Sequence, residues 1–144
     1  MANLEIQNAF LDGIEEVFQI MFTDVAELRL LDEENTKVNV YGETSEKVYK
    51  DPVNLVAKVT TTFTQGELYV ESVKIDAVFS IPTKQLITNE IPHETSEDLE
   101  LLKKAKFTYK GFDYLVKKVT PKTLVADMWQ VYDFECYVES NSSL

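Results

Sequence analysis

One cysteine, one histidine, one arginine and one tryptophan in 144 residues leave few of the side chains from which catalytic and metal sites are built. Cys136 alone permits no internal disulfide and no cysteine-based zinc site. Lying in an apolar stretch, it reads as a small buried hydrophobe, because a reactive thiol needs an electropositive, partly exposed setting. His93 alone can form no histidine pair for zinc and no triad. Beside Pro92 and Glu94 it reads as a solvated loop residue. None of the four glycines is spaced as GxGxxG or GxxxxGK[ST], so phosphate-cradling loops are excluded. Asp32-Glu33-Glu34-Asn35 lacks the alternating ligands and turn glycine of an EF-hand. Asp98, Asp127 and the serines have no nucleophile-elbow context. No catalytic, cofactor-binding or metal-ligating residue is assigned, and no enzymatic activity is expected.

Long hydrophobic runs are missing too. No stretch approaches the roughly 20 apolar residues that cross a bilayer, and no basic segment precedes an apolar one at the N-terminus, so neither a membrane partner nor a secretory leader is expected. Asn141-Ser-Ser matches a glycosylation acceptor, which is read as chance in that setting. Positive charge is scarce. Against 25 acidic residues stand 14 basic ones, for a net charge of −11. Without a basic cluster the chain is not expected to bind the nucleic-acid backbone. Such acidity supports solubility, and it equally suits a surface beside which DNA passes without adhering.

What the chain does have is ordinary for a folded domain: 44% hydrophobic and 27% charged residues, in a length that fits a single domain over 1–144. Ile6, Phe10, Ile14, Val17, Phe18 and Met21 recur at helical spacing and predict a helix over 5–22, with Asn3 as its N-cap. Leu11, Ile20 and Phe22 widen its apolar stripe beyond one packing surface. Such a helix is either covered on two sides or meets another subunit.

Alternation follows. Ala26, Leu28 and Leu30 predict a strand, 32–36 a polar turn, Val38 to Tyr41 a strand and 42–51 a charged loop. Leu55, Ala57, Val59, Thr61 and Phe63 predict one strand. Leu68 and Val70 have one parity and Val73 to Ile81 the other, which predicts a bulge or bend at Glu71-Ser72. Residues 83–95 read as a loop whose Leu86, Ile87 and Ile91 are candidate anchors for a neighbouring subunit, or else fold back on the core. Thr95-x-x-Asp98 announces a capping box before a short helix over 99–105. A hairpin, a proline-containing loop and a last strand complete the chain. In that strand Tyr132, Phe134, Cys136 and Val138 share the buried face. Trp129 and its aromatic neighbours read as packing, since basic residues that would make a base-stacking platform are absent. The fold expected is mainly β (α+β): a small antiparallel β-barrel or rolled sheet over 26–138 with an N-terminal helix, one short internal helix and a polar tail over 139–144.

Over residues 53–138 the chain resembles neck proteins of tailed bacteriophages, in the head-closure (head–tail connector, or tail-stopper) group. Phe107, Tyr109, Gly111, Tyr114 and Val116 follow that group's "aromatic-x-Tyr-x-Gly-x-x-Tyr-x-Val" run, and Cys136 falls near the end of its last strand. The strand ending at Ile81, followed by Pro82-Thr83-Lys84 and a long loop, is similar as well. The resemblance implies a ring of identical subunits in the virion neck, assembled in the host cytoplasm. Its partners would be portal or adaptor proteins, tail proteins and other copies of itself, and it would retain DNA without binding it. The N-terminal helix departs from the simplest members of the group and suits a tail-terminator or tail-completion protein. Two readings of other classes are a small acidic DNA-mimic inhibitor and an assembly chaperone absent from the finished particle.

Overall fold

Strong alternation with few helix signals becomes a strand-rich fold in the computed structural model, which describes residues 2–21, 24–32, 37–38, 44–46, 48–61, 68–70 and 73–139. The N-terminal helix is α1 (Ala2–Met21). The strands β1 (Val25–Arg29), β2 (Lys37–Val38), β3 (Thr44–Glu46), β4 (Val53–Val56) and β5 (Lys58–Thr61) follow. Next come β6 (Leu68–Val70), β7 (Val73–Ile75) and β8 (Ala77–Pro82), then the short helices α2 (Thr83–Thr88) and α3 (Ser96–Leu102). The chain ends with β9 (Lys106–Tyr109), β10 (Phe112–Val125) and β11 (Met128–Val138).

Seven strands form one antiparallel sheet in the order β4-β1-β9-β10-β11-β8-β5, and β2-β3 and β6-β7 make separate two-stranded ribbons. The edge strands β4 and β5 are separated along the chain by Ala57 alone. Two edges joined through one residue are held within a few ångströms of each other, so the sheet has to curl until they meet. The edges do not hydrogen-bond to each other, so the result is a rolled, open sheet and not a closed barrel. Inside the roll lie Phe79, Phe107 and Phe134 with Leu28, Leu55, Ile81, Leu86 and Leu102, all fully enclosed.

Local expectations hold where the pattern is strong. On β11, Tyr132, Phe134 and Cys136 are buried while Val131, Asp133 and Glu135 are half-exposed, the signature of a strand covered on one face. Thr95 caps α3 as anticipated: its hydroxyl accepts from Asp98 N at 3.1 Å, and the Asp98 carboxylate accepts from Thr95 N at 3.2 Å.

Other expectations are corrected. The run Leu55 to Thr61 is not one strand, because the chain leaves one sheet edge at β4 and joins the other at β5. Glu71-Ser72 lies outside the described residues, but β6 and β7 pair antiparallel with Val70 opposite Val73, so the two parities belong to two strands. Register shifts are observed in β10 between Val116 and Lys118 and in β2 between Lys37 and Val38. The charged stretch 42–51 contributes β3, which pairs with β2. The proline-containing segment before the last strand is not a loop: β10 runs through Pro121, which sits opposite Tyr132, and only Ala126 and Asp127 turn the chain. Segment 83–95 contains α2, too short to show a helical period, and formed because it buries Thr83, Gln85 and Leu86. α1 begins at Ala2, so Asn3 lies within it and is not its cap, and α3 ends at Leu102 with Lys103 and Lys104 beyond it. Phe22, Phe63 and the tail from Ser140 lie outside the described residues.

Candidate interaction site

α1 is anchored by one side only. Among its described side chains Leu11 is the one it buries, at 3% exposure, with Ile14 and Phe18 half-buried beside it. Gln7 Nε2 donates to Ala126 O at the β10–β11 turn. Gln85 Nε2 of α2 donates to Glu15 Oε1 at 3.1 Å, and Lys84 Nζ lies 3.2 Å from Asp12 Oδ1. Both of the latter contacts tie the helix to α2. The bond to Glu15 satisfies the Gln85 amide, which is buried although polar.

The rest of the apolar stripe is open. Phe10 is 50% exposed and Ile20 79%, and Ile6, Val17 and Met21 are exposed too. A helix turns 100° per residue, so these side chains span a broad arc next to the anchored side. Between that arc and the sheet runs a groove of about 620 Å³, walled by Phe10, Gly13, Ile14 and Val17 on α1 and by Thr123 and Val131 on the strands. Nothing lies within 4 Å of where a Cβ on Gly13 would sit, so the groove floor is open there. Glu5, Asp12 and Glu16, all exposed, follow one edge of the same arc, and α1 has no lysine or arginine. The sequence showed a stripe wider than one packing surface needs, and the fold leaves part of that width exposed. Thr123 and Val131 carried no such signal, because only the tertiary fold brings them to the helix.

The three candidate anchors of the 83–95 segment divide between the two readings given for them. Leu86 and Ile91 fold back into this chain's own core with the phenylalanines, so they are not available as anchors. Ile87 alone keeps surface, at 41% exposure, over a small pocket shared with Pro92 and Asp98. His93 is also corrected. It is 6% exposed, with Nδ1 2.8 Å from Ile91 O and its ring edge-on to Tyr132, whose hydroxyl donates to His93 O. The imidazole thus pins the 91–93 segment against β11. Trp129 is 40% exposed, opposite Leu124 across the β10–β11 ladder.

The remaining charged cluster is a staple between strands. Lys106 Nζ on β9 contacts Asp113 Oδ2 at 3.3 Å and Glu139 Oε2 at 3.0 Å, and Thr108 donates to Asp113 Oδ1 at 2.7 Å. The Thr108 hydroxyl and Lys106 together hold the Asp113 carboxyl below its ordinary range, against the opposing effect of burial. Burial disfavours the charged Lys106, but the bonds to Glu139 and Asp113 outweigh it and raise its pKa. Burial pushes the Cys136 thiol well up, which makes it an inert core side chain. Among the described residues no three His, Cys, Asp or Glu side chains gather as a metal site. Among them, too, no helix is long and apolar enough to cross a membrane.

What this arrangement can do chemically is bind, through an apolar groove with an acidic rim. No protein-family model matches the chain, and no curated protein matches it significantly.

Proposed function

We propose that this protein is a structural subunit of a virus particle, forming a ring at the head–tail junction of a tailed phage. There it joins the portal or adaptor to the tail and retains packaged DNA. The observation that carries the reading is the open apolar face of α1, with Phe10 half-exposed and Ile20 and Met21 more so. Exposed apolar area of this extent marks a contact surface, and a domain working alone would bury or replace it. In a neck ring that face would meet an adjoining virion protein, while other surfaces of each subunit close the ring. The net charge of −11 with a single arginine, Arg29, supports a lumen through which DNA moves without adhering. The same helix favours a second reading of the same class, a tail-terminator or tail-completion protein.

Imaging tests both. Antibody against this chain is expected to label purified tailed particles at the head–tail junction, and negative-stain images of the labelled region to show a ring. Label confined to the distal tail, or none on finished particles, overturns the neck role. The second outcome would favour an assembly chaperone.

A further inference from the structure

We infer that the groove beside α1 takes a basic amphipathic helix supplied by a different protein. This deepens the assembly role proposed above: it rests on α1 as a contact surface and is independent of where in a particle the contact lies.

The shape calls for a helix. The open arc is one side of a 20-residue helix, and the groove runs between it and the strand wall at Val131. An apolar stripe at i, i+3, i+4 and i+7 laid along such a groove is a recurrent mode of recognition.

The charge selects the occupant. Glu5, Asp12 and Glu16 lie along one edge of the arc, spread over about 16 Å of helix axis at 1.5 Å per residue. Asp12 is engaged by Lys84 at 3.2 Å, and on the strand side Lys122 stands opposite Val131 in the ladder. Neither belongs to α1, so the helix edge stays acidic. A second copy of this chain fits poorly. Two α1 helices packed antiparallel by these faces would set Glu5 of each near Glu16 of the other, and both chains carry −11 overall. Like charges so placed oppose pairing. Anionic lipid headgroups meet the same repulsion. Lysines or arginines flanking an apolar stripe reverse its sign.

Isothermal calorimetry on the whole chain tests this with two synthetic peptides. One is an amphipathic helix with leucine and phenylalanine at i, i+3, i+4 and i+7 flanked by lysines, and the other has glutamates in place of the lysines. The lysine peptide is expected to bind about tenfold tighter at low salt, the sum of a few exposed ion pairs, with the gap closing as salt rises. Phe10→Ser and Val17→Ser should each abolish binding with the thermal melt unchanged, since both side chains are exposed. Glu5→Lys with Glu16→Lys should erase the preference. Equal affinity for the two peptides, or no binding of the lysine peptide, overturns the proposal. So does a dimer in sedimentation that Phe10→Ser dissociates, which would assign the face to a second copy. Peptide binding together with label away from the neck would sink the neck role alone, whereas neck label without peptide binding would sink this inference alone.

Discussion

Phe79 and Phe107 stack face to face, ring centroids 4.6 Å apart and planes 7° from parallel, although β10 and β11 lie between their strands in the sheet. Three strand spacings of about 4.8 Å would separate them by about 14 Å on a flat sheet. The contact is therefore a direct measure of the roll. Phe134 closes the cluster edge-on to Phe107 at 5.2 Å.

Removing either ring should open a cavity that the curled sheet cannot collapse. Phe107→Ala and Phe79→Ala are each expected to cost about 3–5 kcal/mol in urea unfolding. The double mutant should lose about 1 kcal/mol less than their sum, the coupling of the stacked pair. Strict additivity would mean that the rings do not touch in solution.

Gly111 occupies the β9–β10 turn at φ 84°, beside Lys110 at φ 48°. Nothing lies within 4 Å of where its Cβ would be, so Gly111→Ala carries a backbone penalty and no clash. The expected loss is about 1 kcal/mol with an unchanged denaturant slope. A neutral result would show that the turn accepts another geometry.

The capping box of α3 predicts a second modest loss. Thr95→Ala should cost about 1 kcal/mol, and Thr95→Ser should restore most of it. Equal losses in the two variants would remove the hydroxyl from the account.

Stability should fall at both ends of the pH range, for opposite reasons. Asp113 has its folded pKa below the ordinary 3.8, so its contribution is complete above that value and is lost as pH falls through the depressed one. Lys106 has its folded pKa above 10.5, and burial likewise raises Tyr114 and Tyr132 above 10.0. Their contributions are complete below those ordinary values and are lost as pH rises through the folded ones. Melting of Asp113→Asn across the pH range should show a shallower acid limb, and a reduced alkaline limb as well, because Lys106 loses one of the two carboxylates that raise its pKa. An unchanged acid limb would mean that other carboxylates set it.

Local signals in the chain determined the pieces. Alternation of Tyr132, Phe134 and Cys136 identified the buried face of the last strand, Thr95 and Asp98 announced a helix start, and the α1 stripe was wider than one packing surface needs. Each depends on residues a few positions apart, where backbone geometry alone decides which side chains share a face. Only the tertiary structure decided that Ala57 divides one alternating run between two sheet edges, that α2 forms by burying Leu86, and that His93 is enclosed. It also decided which part of α1 is covered and which is left beside Thr123 and Val131. Those outcomes depend on partners distant along the chain, whose pairing is selected by the free energy of the whole core and leaves no period in the local sequence.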